Sequence, residues 1–169
     1  MRFPKILNIV ILFSILSIII WTVVNNSDRT MINIGDIAPN FKIETLNSDN
    51  MFHLEETNGT IRIVNFWASW CSPCVEELPV LQNMQEEYKD QNIKVLLVNL
   101  NETEKAINLF LDTNSIDLPI YLDKGEVADM YNVTQYPTSF LISEEGEILG
   151  KFVGELTKDY IVEWIEPHL

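Results

Sequence analysis

The run Ile61-Arg62-Ile63-Val64-Asn65-Phe66 is mostly apolar and β-branched, and it leads directly into Trp67-Ala68-Ser69-Trp70-Cys71-Ser72-Pro73-Cys74. From Pro73 onward the apolar positions Val75, Leu78, Leu81, Met84 and Tyr88 recur at helical spacing. A strand of this composition belongs at the centre of a sheet covered on both faces. The handover to a helix therefore has to occur at the end of a buried strand. Pro73 suits the first helical turn, where its missing N–H costs nothing. Pro79 falls inside the pattern and is expected to kink it.

The only two cysteines of the chain, Cys71 and Cys74, sit at this junction with two residues between them. Thiols so close can close a small disulfide ring and reopen it by exchange. With a helix beginning at Ser72 or Pro73, Cys71 takes the amino-terminal cap, where unpaired N–H groups and the helix dipole favour a thiolate. Cys71 is thus expected to be exposed and to attack. Cys74, one turn in, is expected to be shielded and to resolve the mixed disulfide, with Trp67 and Trp70 as apolar walls. The rival readings are two structural cysteines or half of a zinc site. A zinc site needs two further ligands, and only His53 and His168 are on offer, far apart in sequence.

Two acidic residues follow the thiols. On a helix Glu77 lies about 60° round from Cys74, whereas Glu76 points about 160° away. A carboxylate beside the pair disfavours thiolate formation and can exchange a proton with Cys74. Glu76 is read as an acidic first-turn residue favoured by the helix dipole alone.

Upstream, residues 6–24 form an uncharged, mostly apolar run about long enough to cross a bilayer core as a helix. Arg2 and Lys5 precede it, which places residues 1–5 in the cytoplasm and the remainder outside. A cleaved signal peptide is the rival. The apolar part exceeds the usual signal core, and Thr22-Val23-Val24-Asn25-Asn26 offers no small-x-small cleavage site. Residues 25–33 read as a linker and 34–169 as one domain. All 25 acidic residues, but only nine of the 11 basic ones, follow Asn25, leaving a formal charge of −16 on that region. Such a surface argues against binding nucleic acid or docking on anionic lipid.

Within the domain, Phe41–Glu44 and Met51–Leu54 read as an N-terminal hairpin. Ile93–Leu100 is a second buried strand, and a helix starts near Thr103. Ile120–Leu122 is a short strand and Val127–Tyr131 a short helix. Thr138–Ser143 and Ile148–Val153 flank the turn Glu144-Glu145-Gly146-Glu147, and an amphipathic helix carries Tyr160, Ile161, Trp164 and Ile165. The expected class is α/β, one mixed sheet flanked by helices and preceded by one transmembrane helix.

Trp70-Cys71-Ser72-Pro73-Cys74, the preceding Val64-Asn65-Phe66-Trp67-Ala68, and Tyr136-Pro137-Thr138 resemble the thioredoxin superfamily across almost all of residues 34–169. Gly35-Asp36-Ile37-Ala38-Pro39-Asn40-Phe41, Cys74-Val75-Glu76-Glu77-Leu78-Pro79 and an extra strand-helix block around Val95 to Tyr121 are similar to its membrane-anchored extracytoplasmic ResA/StoA/TlpA branch. The resemblance implies a thioredoxin-like fold, Cys71 and Cys74 as the exchanging pair, and Glu77 as a functional glutamate. It also implies a cis Tyr136–Pro137 bond beside the thiols, and a client-binding surface from Trp67, Trp70, Pro73, Tyr136 and Pro137. No cofactor and no metal are implied. Thioredoxin carries a buried aspartate where this chain has Asn65, which cannot ionise, so Glu77 is the nearest candidate for the proton relay.

Members of this branch reduce disulfides of client proteins, either apocytochrome c or spore-envelope proteins. A membrane thiol transporter of the CcdA type re-reduces them. The resemblance and the uncleaved anchor point to a single-pass protein of a Gram-positive cell membrane with its catalytic domain on the outer face. The alternatives are a DsbA-like oxidant and an SCO-type copper-handling protein. The latter would want Cys-x-x-x-Cys and a positioned histidine such as His53. A peroxiredoxin is disfavoured, because Pro-x-x-x-Thr-x-x-Cys is absent. A redox-dead adaptor is disfavoured by the intact cysteine pair.

Overall fold

The computed structural model describes residues 5–25 and 32–169. The chain divides into two compact units, residues 1–31 and 32–169. In the first, α1 (Lys5–Asn25) is a helix of 21 residues. The side chains described in it are those of residue 7 and residues 9–22, all exposed. Among the described residues no helix is long and apolar enough to cross a membrane. The remaining side chains of the expected anchor, most of the expected cytoplasmic segment 1–5 and most of the expected linker 25–33 lie outside the described residues.

In the second unit, β1 (Lys42–Thr45) and β2 (Met51–His53) form the expected hairpin. The central strand β3 (Ile61–Trp67) is buried along its whole length and hands over to α2 (Ser72–Glu87). There follow β4 (Ile93–Leu100), α3 (Glu104–Asn114), β5 (Ile120–Asp123), α4 (Glu126–Met130), β6 (Thr138–Ile142), β7 (Ile148–Val153) and α5 (Lys158–Ile165). The seven strands make one mixed sheet in the order β2-β1-β5-β4-β3-β6-β7. β3, β4 and β5 run parallel, and β1, β2, β6 and β7 are added antiparallel. The hairpin thus extends the sheet beyond the extra strand-helix block, with Glu44 opposite Leu122.

Side chains alternate across a strand with period two. On β3 this sends Ile61, Ile63 and Trp67 to one core and Val64 and Phe66 to the other. The first core also takes Leu78, Leu81 and Met84 of α2, Ile107 of α3 and Ile161 and Ile165 of α5. The second takes Phe41, Tyr131 and Phe140, whose rings stack edge-on at 5.1 to 5.8 Å. Each fully buried aliphatic side chain contributes about 1.5–3 kcal/mol. Asn65, on the same face of β3 as Ile63 and Trp67, is a polar group set into an apolar layer.

Caps and turns close the elements. The Thr103 and Thr157 hydroxyls accept from the backbone N–H of Ala106 and Tyr160 at the starts of α3 and α5. The buried Asp123 carboxylate accepts from the N–H of Gly125, Val127 and Ala128 and so holds the start of α4. The helix α2 runs on through Pro79, an exposed position near its middle.

Gly150 of β7 lies against the indole of Trp164 on α5, closely enough that a Cβ would overlap it. Gly150→Ala is therefore expected to destabilise the domain by about 1–3 kcal/mol, read as a lower denaturant midpoint. Removing the ring as well, in Gly150→Ala/Trp164→Leu, is expected to recover part of that loss.

Candidate active site

The amino terminus of α2 is set by Cys71, whose extended backbone (φ −95°, ψ 102°) makes it the cap residue. Its N–H donates to the Ala68 carbonyl at 3.2 Å, and its own carbonyl accepts from Val75 N–H at 3.0 Å. Pro73 occupies the first turn and is exposed. Cys71 and Cys74 are joined as a disulfide. The cap position is as expected for Cys71; its exposure is not. Cys71 is only 7% exposed, and Cys74 is fully buried. Both residues belong to the apolar cluster of Trp67, Ala68 and Leu78, which covers the ring.

The two tryptophans separate. Trp70 is 68% exposed and meets Tyr136 edge-on, ring centroids 6.0 Å apart. Trp67, expected on the client-binding surface, is fully buried with its ring against Phe110 of α3 at 5.3 Å. It is the last residue of β3, so strand alternation turns it into the core. It supports the floor of the site and offers no face to a client. The Tyr136–Pro137 peptide is cis, as the resemblance implied. Tyr136 is half-buried and Pro137 buried. The Thr138 hydroxyl donates to the Gln135 carbonyl at 2.8 Å, and Gly154 N–H donates to the Pro137 carbonyl at 2.9 Å.

Glu77 lies one turn beyond Cys74 on the buried side of α2 and has no exposed surface. One carboxylate oxygen accepts from Asn65 Nδ2 at 2.7 Å and the other from Leu156 N–H at 2.8 Å. The Asn65 amide also donates to Ser139 Oγ at 2.9 Å. Burial pushes the Glu77 carboxyl up to about 7, while the Leu156 and Asn65 hydrogen bonds hold it back and the nearby Glu155 charge adds to the rise. The ionisable group that Asn65 cannot supply from the strand thus arrives from the helix. Glu76 points to solvent, where it accepts from the Ser72 hydroxyl at 3.1 Å.

Glu102, which nothing in the sequence singled out, anchors the loop before the cysteines. Its carboxylate accepts from the Ser69 N–H at 2.7 Å, from the Ser69 hydroxyl, and from Asn99 Nδ2 at 2.8 Å. The only sequence signal is an acidic residue just past the end of a buried strand, a placement also common at helix starts. His53 lies on β2, which β1, β5 and β4 separate from β3, a lateral distance of about 19 Å at ordinary strand spacing. Among the described residues no group of three His, Cys, Asp or Glu side chains could hold a metal ion.

The raised carboxyl has a consequence for stability. The unfolded chain releases the Glu77 proton near the ordinary value of 4.5, while the folded chain holds it up to about 7. The folded state therefore binds more protons in that window, and its stability falls as pH rises through it. The loss is about 3 kcal/mol over the window. Denaturant unfolding of the oxidised domain at a series of pH values is expected to show this decline, and Glu77→Gln is expected to remove it.

The AhpC/TSA family model matches residues 34–150. The chain is 36% identical over 141 residues to the thiol-disulfide oxidoreductase ResA of Halalkalibacterium halodurans, covering 83% of this chain and 80% of that one. It is 37% identical over 127 residues to the thioredoxin-like protein YneN of Bacillus subtilis, covering 73% and 74%. Among solved structures, StoA from Bacillus subtilis superposes with a TM-score of 0.66 at 31% identity, over 76% of this chain and 97% of that one. A thioredoxin-family thiol:disulfide interchange protein of Chlorobium tepidum superposes with a TM-score of 0.72 at 25% identity, over 81% and 98%. With its Cys71–Cys74 pair at the start of α2, the chain belongs to the AhpC/TSA family as a thioredoxin-like thiol-disulfide oxidoreductase of the ResA/StoA type.

Proposed function

We propose that the protein is a membrane-tethered extracytoplasmic reductant that delivers two electrons to disulfides of client proteins. The observation that carries the direction of flow is the buried Glu77 carboxylate one helical turn beyond Cys74. A disulfide catalyst becomes a strong oxidant when its reduced, thiolate form is stabilised. A carboxylate in a water-poor layer beside the pair does the reverse, because it disfavours a second negative charge nearby. The dithiol then holds its electrons less tightly.

In the reduced protein the Cys71 thiolate, favoured by the α2 amino terminus, attacks one sulfur of the client disulfide. A mixed disulfide forms and the first client sulfur leaves as a thiolate that takes a proton from water. Glu77, ionised at this point, accepts the Cys74 proton. The Cys74 thiolate then attacks Cys71 sulfur, the second client thiolate departs, and the Cys71–Cys74 disulfide closes. Two electrons have passed to the client, and Glu77 later releases its proton. An external dithiol restores the pair, for which a CcdA-type membrane transporter is the expected donor. Exposed Trp70, Pro73 and half-buried Tyr136 flank the pair and are assigned to client contact together with Pro137. Apocytochrome c and spore-envelope proteins are the expected clients. The uncharged apolar run of residues 6–24 in the sequence is assigned as the single-pass anchor, with the domain on the outer face.

A copper-handling role is less well supported, because His53 stands on the far edge of the sheet. A DsbA-like oxidant draws support from the Cys71 cap alone. The reduction potential decides between the two directions of flow. It is expected at about −270 mV or below near pH 7, whereas a value near about −120 mV would make the protein a disulfide donor. Glu77→Gln is expected to raise the potential and lower the thiol titration by about one pH unit, read by the pH dependence of alkylation. Protease added to intact spheroplasts is expected to remove the domain and leave the anchor. Protection of the domain would place it in the cytoplasm and overturn the topology.

A further inference from the structure

Asn65 and Ser139 are direct cross-strand partners on β3 and β6, and both are fully buried. The Asn65 amide nitrogen donates to Glu77 on one side and to Ser139 Oγ on the other. Its carbonyl oxygen Oδ1 is buried with no hydrogen-bond partner. An amide placed between two groups in this way suits only one state of Glu77. The carboxylate needs a donor, which Nδ2 supplies; the carboxylic acid carries its own O–H and needs an acceptor. The unpartnered acceptor belongs to the same side chain, half a turn of the amide away. A serine hydroxyl serves as donor or acceptor equally well, so Ser139 can hold either face of that amide.

We propose that Asn65 is a positioning residue whose amide, anchored on Ser139, reverses its hydrogen-bond polarity as Glu77 gains or loses a proton. With Glu77 ionised, Nδ2 faces Glu77 and Ser139. With Glu77 protonated, Oδ1 faces them and accepts from both hydroxyls. Each state keeps two hydrogen bonds and leaves one amide atom unpaired, so neither is penalised by loss of the network. The proton on Glu77 can then come and go at modest cost although all three side chains are fully buried. Ser139 stands two residues beyond cis Pro137, which places the reversal next to the segment assigned to client contact.

The groups that act on Glu77 limit what else could produce such a titration. Glu155, on the loop before α5, is the ionisable neighbour that raises it. Lys158 of α5 is taken up by Glu87 at 2.7 Å. β3 and β6 present Asn65 and Ser139, neither of which ionises in this range, and the cysteines of α2 are joined as a disulfide. This inference rests on the reading of Glu77 as the proton-handling group.

The test is a pH titration of the oxidised, isotope-labelled full-length chain in detergent micelles. It follows the Glu77 side-chain carbonyl carbon, assigned by its loss in Glu77→Gln, and the Asn65 side-chain NH2, assigned by its loss in Asn65→Asp. Both signals are expected to move with one shared midpoint, and the Asn65 movement is expected to vanish in Glu77→Gln. Asn65→Ala removes a hydrogen bond from both protonation states, the stronger one from the charged carboxylate. It is expected to raise the Glu77 midpoint by about half a pH unit, roughly a threefold change in proton affinity. A rise of a full unit or more would mark an amide that serves the carboxylate only and would overturn the proposal. Ser139→Ala, a milder change that keeps the amide, is expected to raise it by less. If Glu77 titrates while the Asn65 amide does not follow, or if Asn65→Ala leaves the midpoint in place, the proposal falls and the reading of Glu77 stands. If Glu77 does not titrate between about pH 4 and 9, both fall. Should Asn65→Ala fail to fold, the wild-type titration and Ser139→Ala decide the matter.

Discussion

The site depends on one carboxylate that has been taken out of water. Glu77 is held between β3 and the loop before α5, with a hydrogen bond to each of its oxygens and no exposed surface. An isolated ionised carboxylate would not persist in such a layer, and two donors are not enough to return it to its ordinary range. It therefore sits near the point where proton on and proton off are balanced at neutral pH. The two sulfurs belong to the same helix, and under the proposed function the charge they can carry is tied to the charge on Glu77.

The fold makes this placement possible by bringing three distant pieces of chain to one spot. β3 supplies Asn65, α2 supplies both cysteines and Glu77, and the end of the β6–β7 hairpin supplies the Leu156 N–H through the loop that follows. Gly154 N–H on the Pro137 carbonyl ties that same loop to the cis peptide. On the other side of the cysteines, Glu102 fastens Ser69 to the end of β4. The cysteine loop is thus braced from β4 and the helix behind it from β7, while Trp70 alone among the flanking aromatics reaches well into solvent.

Much of this was legible from residue order. β4 and β7 begin and end where their apolar, β-branched runs do, and the N-terminal hairpin and the helix after the cysteines follow from period-two and period-3.6 patterns. Glu77 could be distinguished from Glu76 by helical angle alone, and the structure buries the first and exposes the second. What was hidden is what burial on both faces of a strand erases. A continuous apolar run gives no indication of which side chains face which core, so Trp67 looked as available as Trp70 although alternation along β3 turns it inward. Arg62 in the same run is almost fully buried, its guanidinium donating to Asn58 Oδ1 at 3.1 Å and to the Ser143 carbonyl. Glu102 and Asp123 act through backbone N–H groups brought near by loop geometry, for which no spacing rule exists. The near-burial of Cys71 is likewise a property of packing.

The hydrogen bond between Glu77 and Leu156 joins positions 79 residues apart. Ribosomes deliver the chain from its amino terminus, so Cys71, Cys74 and Glu77 emerge well before the segment that completes their surroundings. Until β6, β7 and the following loop have docked, the carboxylate is wet and its proton is lost at ordinary acidity. On the proposed reading of Glu77, the nascent chain is therefore a different redox reagent from the finished one. The surroundings of its cysteines are completed only as the last part of the sheet is laid against the first.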